Sequence, residues 1–217
     1  MSGRFITFEG GEGVGKTTQL RRTADWLRAT GVDLVVTREP GGTPQAEALR
    51  RILLTRAAEP MPPAAELLLM FAARSLHLEN LILPALERGA WVLCDRFTDA
   101  TYAYQGGGRR LGTREIDALV QIVHPHRQPD LTLLLDAPVE IGLERALARN
   151  GPDGRDRFEA EQHQFFDRVR DVYLERASHD PRRFRVIDAA ADSDSVFAAI
   201  QRELQPLLAT RMRDKPS

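Results

Sequence analysis

Residues Gly10-Gly11-Glu12-Gly13-Val14-Gly15-Lys16-Thr17 fit G-x-x-x-x-G-K-[ST] at every defined position. With Thr18 they form a glycine turn running into a helix. Backbone N–H groups of such a turn, and of the helix N-terminus after it, make a concave anion site suited to a polyphosphate. Lys16 is placed to reach the outer phosphates and the Thr17 hydroxyl to take a position on Mg²⁺. Only two of the 30 basic residues are lysines, Lys16 and Lys215. Arginine serves everywhere else, so a compact ammonium kept at position 16 points to a specific task. The set expected on ATP phosphates is Gly10, Gly11, Glu12, Gly13, Val14, Gly15, Lys16, Thr17 and Thr18.

A phosphate loop by itself does not separate a switch GTPase, a motor, a transporter ATPase and a small kinase. No Asn-Lys-x-Asp guanine reader is present. Three arginine-bearing segments are present instead. Thr37-Arg38-Glu39-Pro40-Gly41-Gly42-Thr43 leads to Arg50; Leu69-Met70-Phe71-Ala72-Ala73-Arg74 puts Met70, Phe71 and Arg74 on one helix face; Asp95-Arg96-Phe97 opens a run that ends at Arg109. Guanidinium forks gathered near a phosphate loop suit a reaction in which two anions must meet.

The elements that hold these residues follow from the apolar pattern. Strand-like runs fall at residues 5–8, 34–37, 91–94, 131–135 and 184–187. Amphipathic stretches lie between them at 17–29, 46–54, 64–86, 114–123, 140–149, 159–176 and 195–208. Apolar runs without alternation, separated by helices, indicate a parallel sheet covered on both faces. The class is α/β: a three-layer P-loop NTPase sandwich with a five-stranded parallel sheet, helices on both faces and a short lid. Charged residues end strands one to three, so ligands are expected at the carboxyl edge.

A single kinase domain over 1–217 is expected, with a lid at about 145–160 and a frayed tail at about 212–217. Net charge is −1, which gives no basic field for nucleic acid. The lone Cys94 reads as a small buried hydrophobe and suits a reducing compartment. No stretch approaches the length needed to cross a bilayer, and a soluble, cytoplasmic protein is expected. Gly106, Gly107 and Gly108 read as a turn, and Arg182-Arg183-Phe184-Arg185 as a solvated edge.

Four motifs taken together, G-x-E-G-x-G-K-T, T-R-E-P-G-G-T, D-R-F-x-D-x-x-x-A-Y-Q-G-G-G-R and a late D-R-F-E, resemble bacterial thymidylate kinases from Phe5 to about Asp188. That family makes dTDP from dTMP and ATP with Mg²⁺, commonly as a homodimer. The resemblance implies catalytic roles for Lys16, Asp95 and Arg96, with Thr17 and Asp95 at the metal. It places Glu12, Arg38, Arg50, Met70, Phe71, Arg74, Arg96, Thr101, Tyr104 and Gln105 around dTMP. Arg74 and Gln105 would meet the thymine edge, Glu12 the 3′-hydroxyl, and Tyr104 the space of a ribose 2′-hydroxyl. Family members commonly carry phenylalanine where this chain has Met70, so either Met70 or Phe71 covers the ring. With no arginine in the phosphate loop, the catalytic arginine would come from the lid, among Arg145, Arg149, Arg155 and Arg157. Asp188-Ala189-Ala190 would fit an adenine-side loop.

Overall fold

The computed structural model describes residues 3–150, 157–158 and 161–213. The five apolar runs form five parallel strands, each carried one residue beyond its run: β1 (Phe5–Glu9), β2 (Leu34–Arg38), β3 (Trp91–Asp95), β4 (Leu131–Asp136) and β5 (Phe184–Asp188). Their order is β2-β3-β1-β4-β5. The extra residue is charged in every case. Pairings such as Phe8 with Asp95, Arg38 with Asp95 and Asp136 with Asp188 bring these charges to one edge of the sheet.

The helices are α1 (Lys16–Ala29), α2 (Pro44–Leu54), α3 (Pro63–His77), α4 (Leu83–Glu87), α5 (Thr98–Thr101), α6 (Thr113–Val123), α7 (Val139–Asn150), α8 (His163–His179) and α9 (Ser193–Arg213). Strand residues alternate between two covered faces. Ile6, Phe8, Leu133 and Leu135 pack under Leu20, Leu27, Ile200 and Leu204 of α1 and α9. Leu134 and Phe184 face Phe165, Val169 and Tyr173 of α8. Phe5, Val92 and Cys94 meet Leu78, Ile82 and Ala85 between α3 and α4. Cys94 is fully buried there.

Three expectations need correcting. The 64–86 stretch is not one regular helix; a π-helical turn at Leu78–Ile82 interrupts it. The glycines at 106–108 are not a simple turn, because Tyr102–Gly108 continues α5 as a second π-helical turn. The run Pro63–Glu87, with mean hydropathy 1.2 over an 18-residue window, is long and apolar enough to span a bilayer by length and composition. In the fold 39% of that window is buried inside the protein, and Glu66, Arg74 and His77 are buried on the same run. The frayed tail was expected from about 212; α9 runs to Arg213, and 214–217 lie outside the described residues.

Candidate active site

The glycine loop leaves β1 and enters α1 with Gly10, Gly13 and Gly15 all at positive φ. A β-carbon on Gly13 would stand 1.8 Å from the Gly142 carbonyl oxygen on α7, so the loop is seated directly on that helix. α1 has no side-chain N-cap, which leaves the N–H groups of its first turn for an anion. Lys16 Nζ donates to the carbonyls of Gly10 (3.1 Å) and Gly11 (2.6 Å), which holds the ammonium across the loop. Burial lowers its pKa to about 8, and the nearby Arg96 charge adds to the shift.

Arg96 stands at the centre of the site with φ 70, a conformation rarely adopted by a residue with a β-carbon. Its Nη1 donates to the Gly10 carbonyl (2.9 Å) and the Tyr173 hydroxyl (3.1 Å). Its Nη2 donates to Glu12 Oε1 (2.7 Å) and the Tyr104 hydroxyl (2.9 Å). The guanidinium also lies 4.7 Å over the Tyr104 ring. The Tyr104 hydroxyl in turn donates to Glu12 Oε1 at 2.8 Å. Behind this layer Glu9, fully buried at the end of β1, accepts from the Phe97 N–H (2.7 Å) and the Tyr173 hydroxyl (2.8 Å). Burial, joined by the Asp99 charge, raises the Glu9 pKa to about 8.

At the other end of the site the polar groups are deeper and more fully paired. Arg74 Nε donates to Glu39 Oε2 (2.8 Å), and Arg74 Nη2 donates to Thr101 Oγ1 (2.9 Å) and the Phe97 carbonyl (3.3 Å). Glu39 Oε1 meets His77 Nδ1, and His77 Nε2 meets Thr37 Oγ1. Burial opposes the Glu39 charge, but Arg74 and His77 together outweigh it and hold the pKa below the usual carboxylate value. Gln105 Nε2 donates to Glu66 Oε1 at 2.6 Å. Among the described residues, Arg74 Nη1 and Gln105 Oε1 are buried without a partner, one donor and one acceptor.

A cavity of about 210 Å³ joins the two ends. Its wall includes Glu12, Lys16, Thr17, Arg38, Arg50, Met70, Asp95, Arg96 and Tyr104 from the expected set, with Glu39, Pro40, Leu54, Ala100 and Phe158. Arg38 pairs with Glu47 at 2.9 Å, and Arg50 Nη1 donates to the Pro40 carbonyl at 2.7 Å. A family profile described as thymidylate kinase matches residues 8–200. The chain is 57% identical to the thymidylate kinase of Chromohalobacter salexigens over 209 residues, covering 96% of this chain and 98% of that protein. The chain belongs to the thymidylate kinase family. The Pseudomonas entomophila thymidylate kinase is 56% identical, with 96% of each chain covered. The crystal structure of thymidylate kinase from Ehrlichia chaffeensis superposes with a TM-score of 0.75 at 34% identity, covering 94% of this chain and 99% of that one.

Against the roles that thymidylate kinase membership suggests, the cavity sorts the expected residues into two groups. Met70 is on its wall; Phe71, Arg74, Thr101 and Gln105 are buried and do not line it. The Phe71 ring stacks on His124 at 6.2 Å and supports the Arg74 guanidinium at 4.8 Å. Arg145 is tied to the carbonyls of Ala189 (2.8 Å) and Ala190 (3.4 Å), in the loop expected beside adenine. Arg157 donates from Nε to the Leu53 carbonyl (2.9 Å) and pairs with Glu66 (2.6 Å). The Arg149 side chain and Arg155 lie outside the described residues, as do residues 151–156 and 159–160 of the expected lid. Arg183 is not a solvated edge: only 10% of its side chain is exposed, and with Arg176 it clasps the buried Asp99.

Glu9, Glu39, Glu66, Asp99 and Tyr173 were given no role by motif reasoning. A signal did exist for two of them. Glu66 stands in an otherwise apolar arc four residues before Met70 and eight before Arg74, and Glu39 lies inside the Thr37–Thr43 motif next to Arg38.

Proposed function

We propose that the protein transfers the γ-phosphoryl group of ATP to dTMP, giving dTDP and ADP. The observation that carries this is a single cavity with Lys16, Thr17 and the open α1 N-terminus at one end, Arg96 in the middle, and Met70 with Arg74 and Gln105 behind it at the other. The glycine loop from Gly10 to Thr18 takes the ATP phosphates. Arg96, with Arg38, takes the dTMP phosphate, and Glu12 and Tyr104 lie beside it for the sugar. Thymine slides under Met70, with Arg50 at the rim. Phe71 and Thr101 fix Arg74 from behind, so that its free Nη1 and the free Oε1 of Gln105 meet the base edge.

The dTMP phosphate is already ionised at neutral pH, so the chain needs to align two anions and balance their charge rather than supply a strong base. Asp95 Oδ1 is buried without a partner among the described residues, and Thr17 lines the same cavity. One carboxylate and one hydroxyl fit Mg²⁺, which keeps several waters and takes its other oxygens from phosphates. Held by Thr17 and Asp95, the ion would neutralise charge on the ATP phosphates. Arg149, Arg155 and Arg157 remain the lid arginines for the transferring group, and the present anchoring of Arg157 to Glu66 favours the other two. A second copy of the chain is part of this reading: Leu68 on α3 and Ile122 on α6 are 58% and 77% exposed on neighbouring helices, an apolar face suited to a homodimer.

The test is ADP release coupled to a panel of monophosphates. Fast turnover with dTMP, slow turnover with dUMP and almost none with dCMP or purine monophosphates is expected, because a methyl pocket supplies only about 1–3 kcal/mol while mispaired polar groups cost more. ATP hydrolysis that ignores the acceptor would overturn the reading.

A further inference from the structure

Resting on the reading that Gln105 meets the thymine edge, we infer that Glu66 determines which base the site accepts, by fixing the direction of the Gln105 amide. A glutamine amide has a donor end and an acceptor end, and only its neighbours decide which way it faces. Glu66 is fully buried on α3 and pairs with Arg109 (3.2 Å) and Arg157 (2.6 Å). A carboxylate clasped by two guanidinium groups has only acceptors to offer. Gln105 must therefore turn its NH₂ group to Glu66 Oε1, at 2.6 Å, and present its carbonyl away from it. That carbonyl is the buried Oε1 that has no partner among the described residues.

Of the buried donors left over nearby, Arg109 Nη2 and Arg157 Nη2 belong to the guanidinium groups around Glu66, whereas Arg74 Nη1 belongs to one held a helical turn along by Thr101 Oγ1. An acceptor beside a donor matches a ring edge with N3–H next to the O4 carbonyl. It opposes the edge of cytosine, where N3 is an acceptor and the neighbouring group a donor. Were the Gln105 amide reversed, the site would offer two donors and lose that distinction. Glu66 is thus a positioning residue that acts through Gln105 and never touches the ligand.

Glu66→Gln tests this, since a second amide lets Gln105 rotate. The preference in kcat/KM for dTMP over dCMP is expected to fall roughly tenfold or more. The preference for dTMP over dUMP, which share N3–H and differ only in a methyl group, should stay within about twofold. KM for dTMP should rise more than kcat falls. A merely structural role would move both preferences together or neither, and either result overturns the inference. Should this variant not fold, Glu66→Asp keeps the charge between Arg109 and Arg157 but withdraws the carboxylate by one methylene; the same pattern is expected, and two unchanged preferences overturn the inference. Gln105→Leu separates the two levels of argument. If it relaxes the dTMP-over-dCMP preference while the Glu66 variants do not, Glu66 alone is excluded; if it leaves that preference intact, the placement of thymine at Gln105 falls, and the inference with it.

Discussion

The phosphate end of the cavity is made mainly of backbone, whereas the base end is made of charged side chains sealed away from water. At the first, the first-turn N–H groups of α1 and three glycines at positive φ do the shaping, and Lys16 is tethered only to loop carbonyls. At the second, Arg74, Glu39, His77, Gln105 and Glu66 are each at most 6% exposed and are paired with one another until two atoms are left over. A backbone cradle can lose a side chain without leaving an unpaired charge inside the protein. A buried ionic network cannot. The two ends should therefore fail in different ways, activity at one and stability together with affinity at the other.

The largest effect expected is at Arg74. Arg74→Ala leaves Glu39 buried with only His77 and the backbone around it, and should cost about 3–5 kcal/mol of stability, or on the order of 10 °C in Tm for a chain of this size. KM for dTMP should rise as well, with kcat much less affected. Thermal unfolding and a dTMP titration check both halves. A Tm within about 2 °C of the parent would break the contrast between the two ends.

Lys16→Ala is the matching experiment at the phosphate end. Among the described residues its ammonium bonds to the neutral carbonyls of Gly10 and Gly11, and Gly10 keeps Arg96 as a donor when the lysine is gone. Tm should hold, while kcat falls on the order of 10²–10³, about 3–4 kcal/mol of transition-state stabilisation. Steady-state kinetics beside a melting curve decide it, and loss of the fold would show that the loop depends on its lysine structurally.

Much of this contrast explains what could be read from the chain before its structure. The glycine loop was legible because backbone geometry demands glycine at fixed spacings, and that demand is written in one contiguous segment. The sheet was legible to within one residue per strand. What escaped was that the charged residue after each apolar run, Glu9, Arg38, Asp95, Asp136 and Asp188, is still part of the strand, because apolar patterning cannot register a charge that is held in a ladder. The base end was legible only as motifs. Glu39, Glu66 and Asp99 are tolerable in the interior because of arginines 35, 43 and 84 residues away, as in the bonds to Arg74, Arg109 and Arg183, and such pairs leave no local signature. The π-helical turn through Gly106–Gly108 was missed for a related reason: α8 packs against it, and three glycines alone read as a turn.

Met70 and Phe71 sharpen the comparison within the base end itself. Met70 lines the cavity and Phe71 supports Arg74 from behind. Met70→Leu nearly conserves volume, so it should cost less than about 1.5 kcal/mol of stability while raising KM for dTMP a few-fold. Phe71→Leu should show the reverse order, with about 1–3 kcal/mol lost from the fold and a smaller change in KM. Equal KM effects would mean that both side chains reach the ring.

The smallest effect concerns a fraction of a proton. Burial lowers the Lys16 pKa to about 8 in the ligand-free protein, with Arg96 contributing in the same direction. A bound polyphosphate favours the charged ammonium and raises that value again. Well below pH 8 Lys16 is already protonated and binding moves no proton. As pH climbs through 8, binding must first charge the amine, so ATP affinity weakens and proton uptake grows towards one. At pH 8 about half a proton should be taken up per nucleotide bound. Calorimetry in two buffers of different ionisation enthalpy measures it directly, with Lys16→Ala as the control. Uptake that persists in that variant would assign the proton to another group, and no uptake between pH 8 and 9 would mean the ammonium is already fully charged in the empty loop.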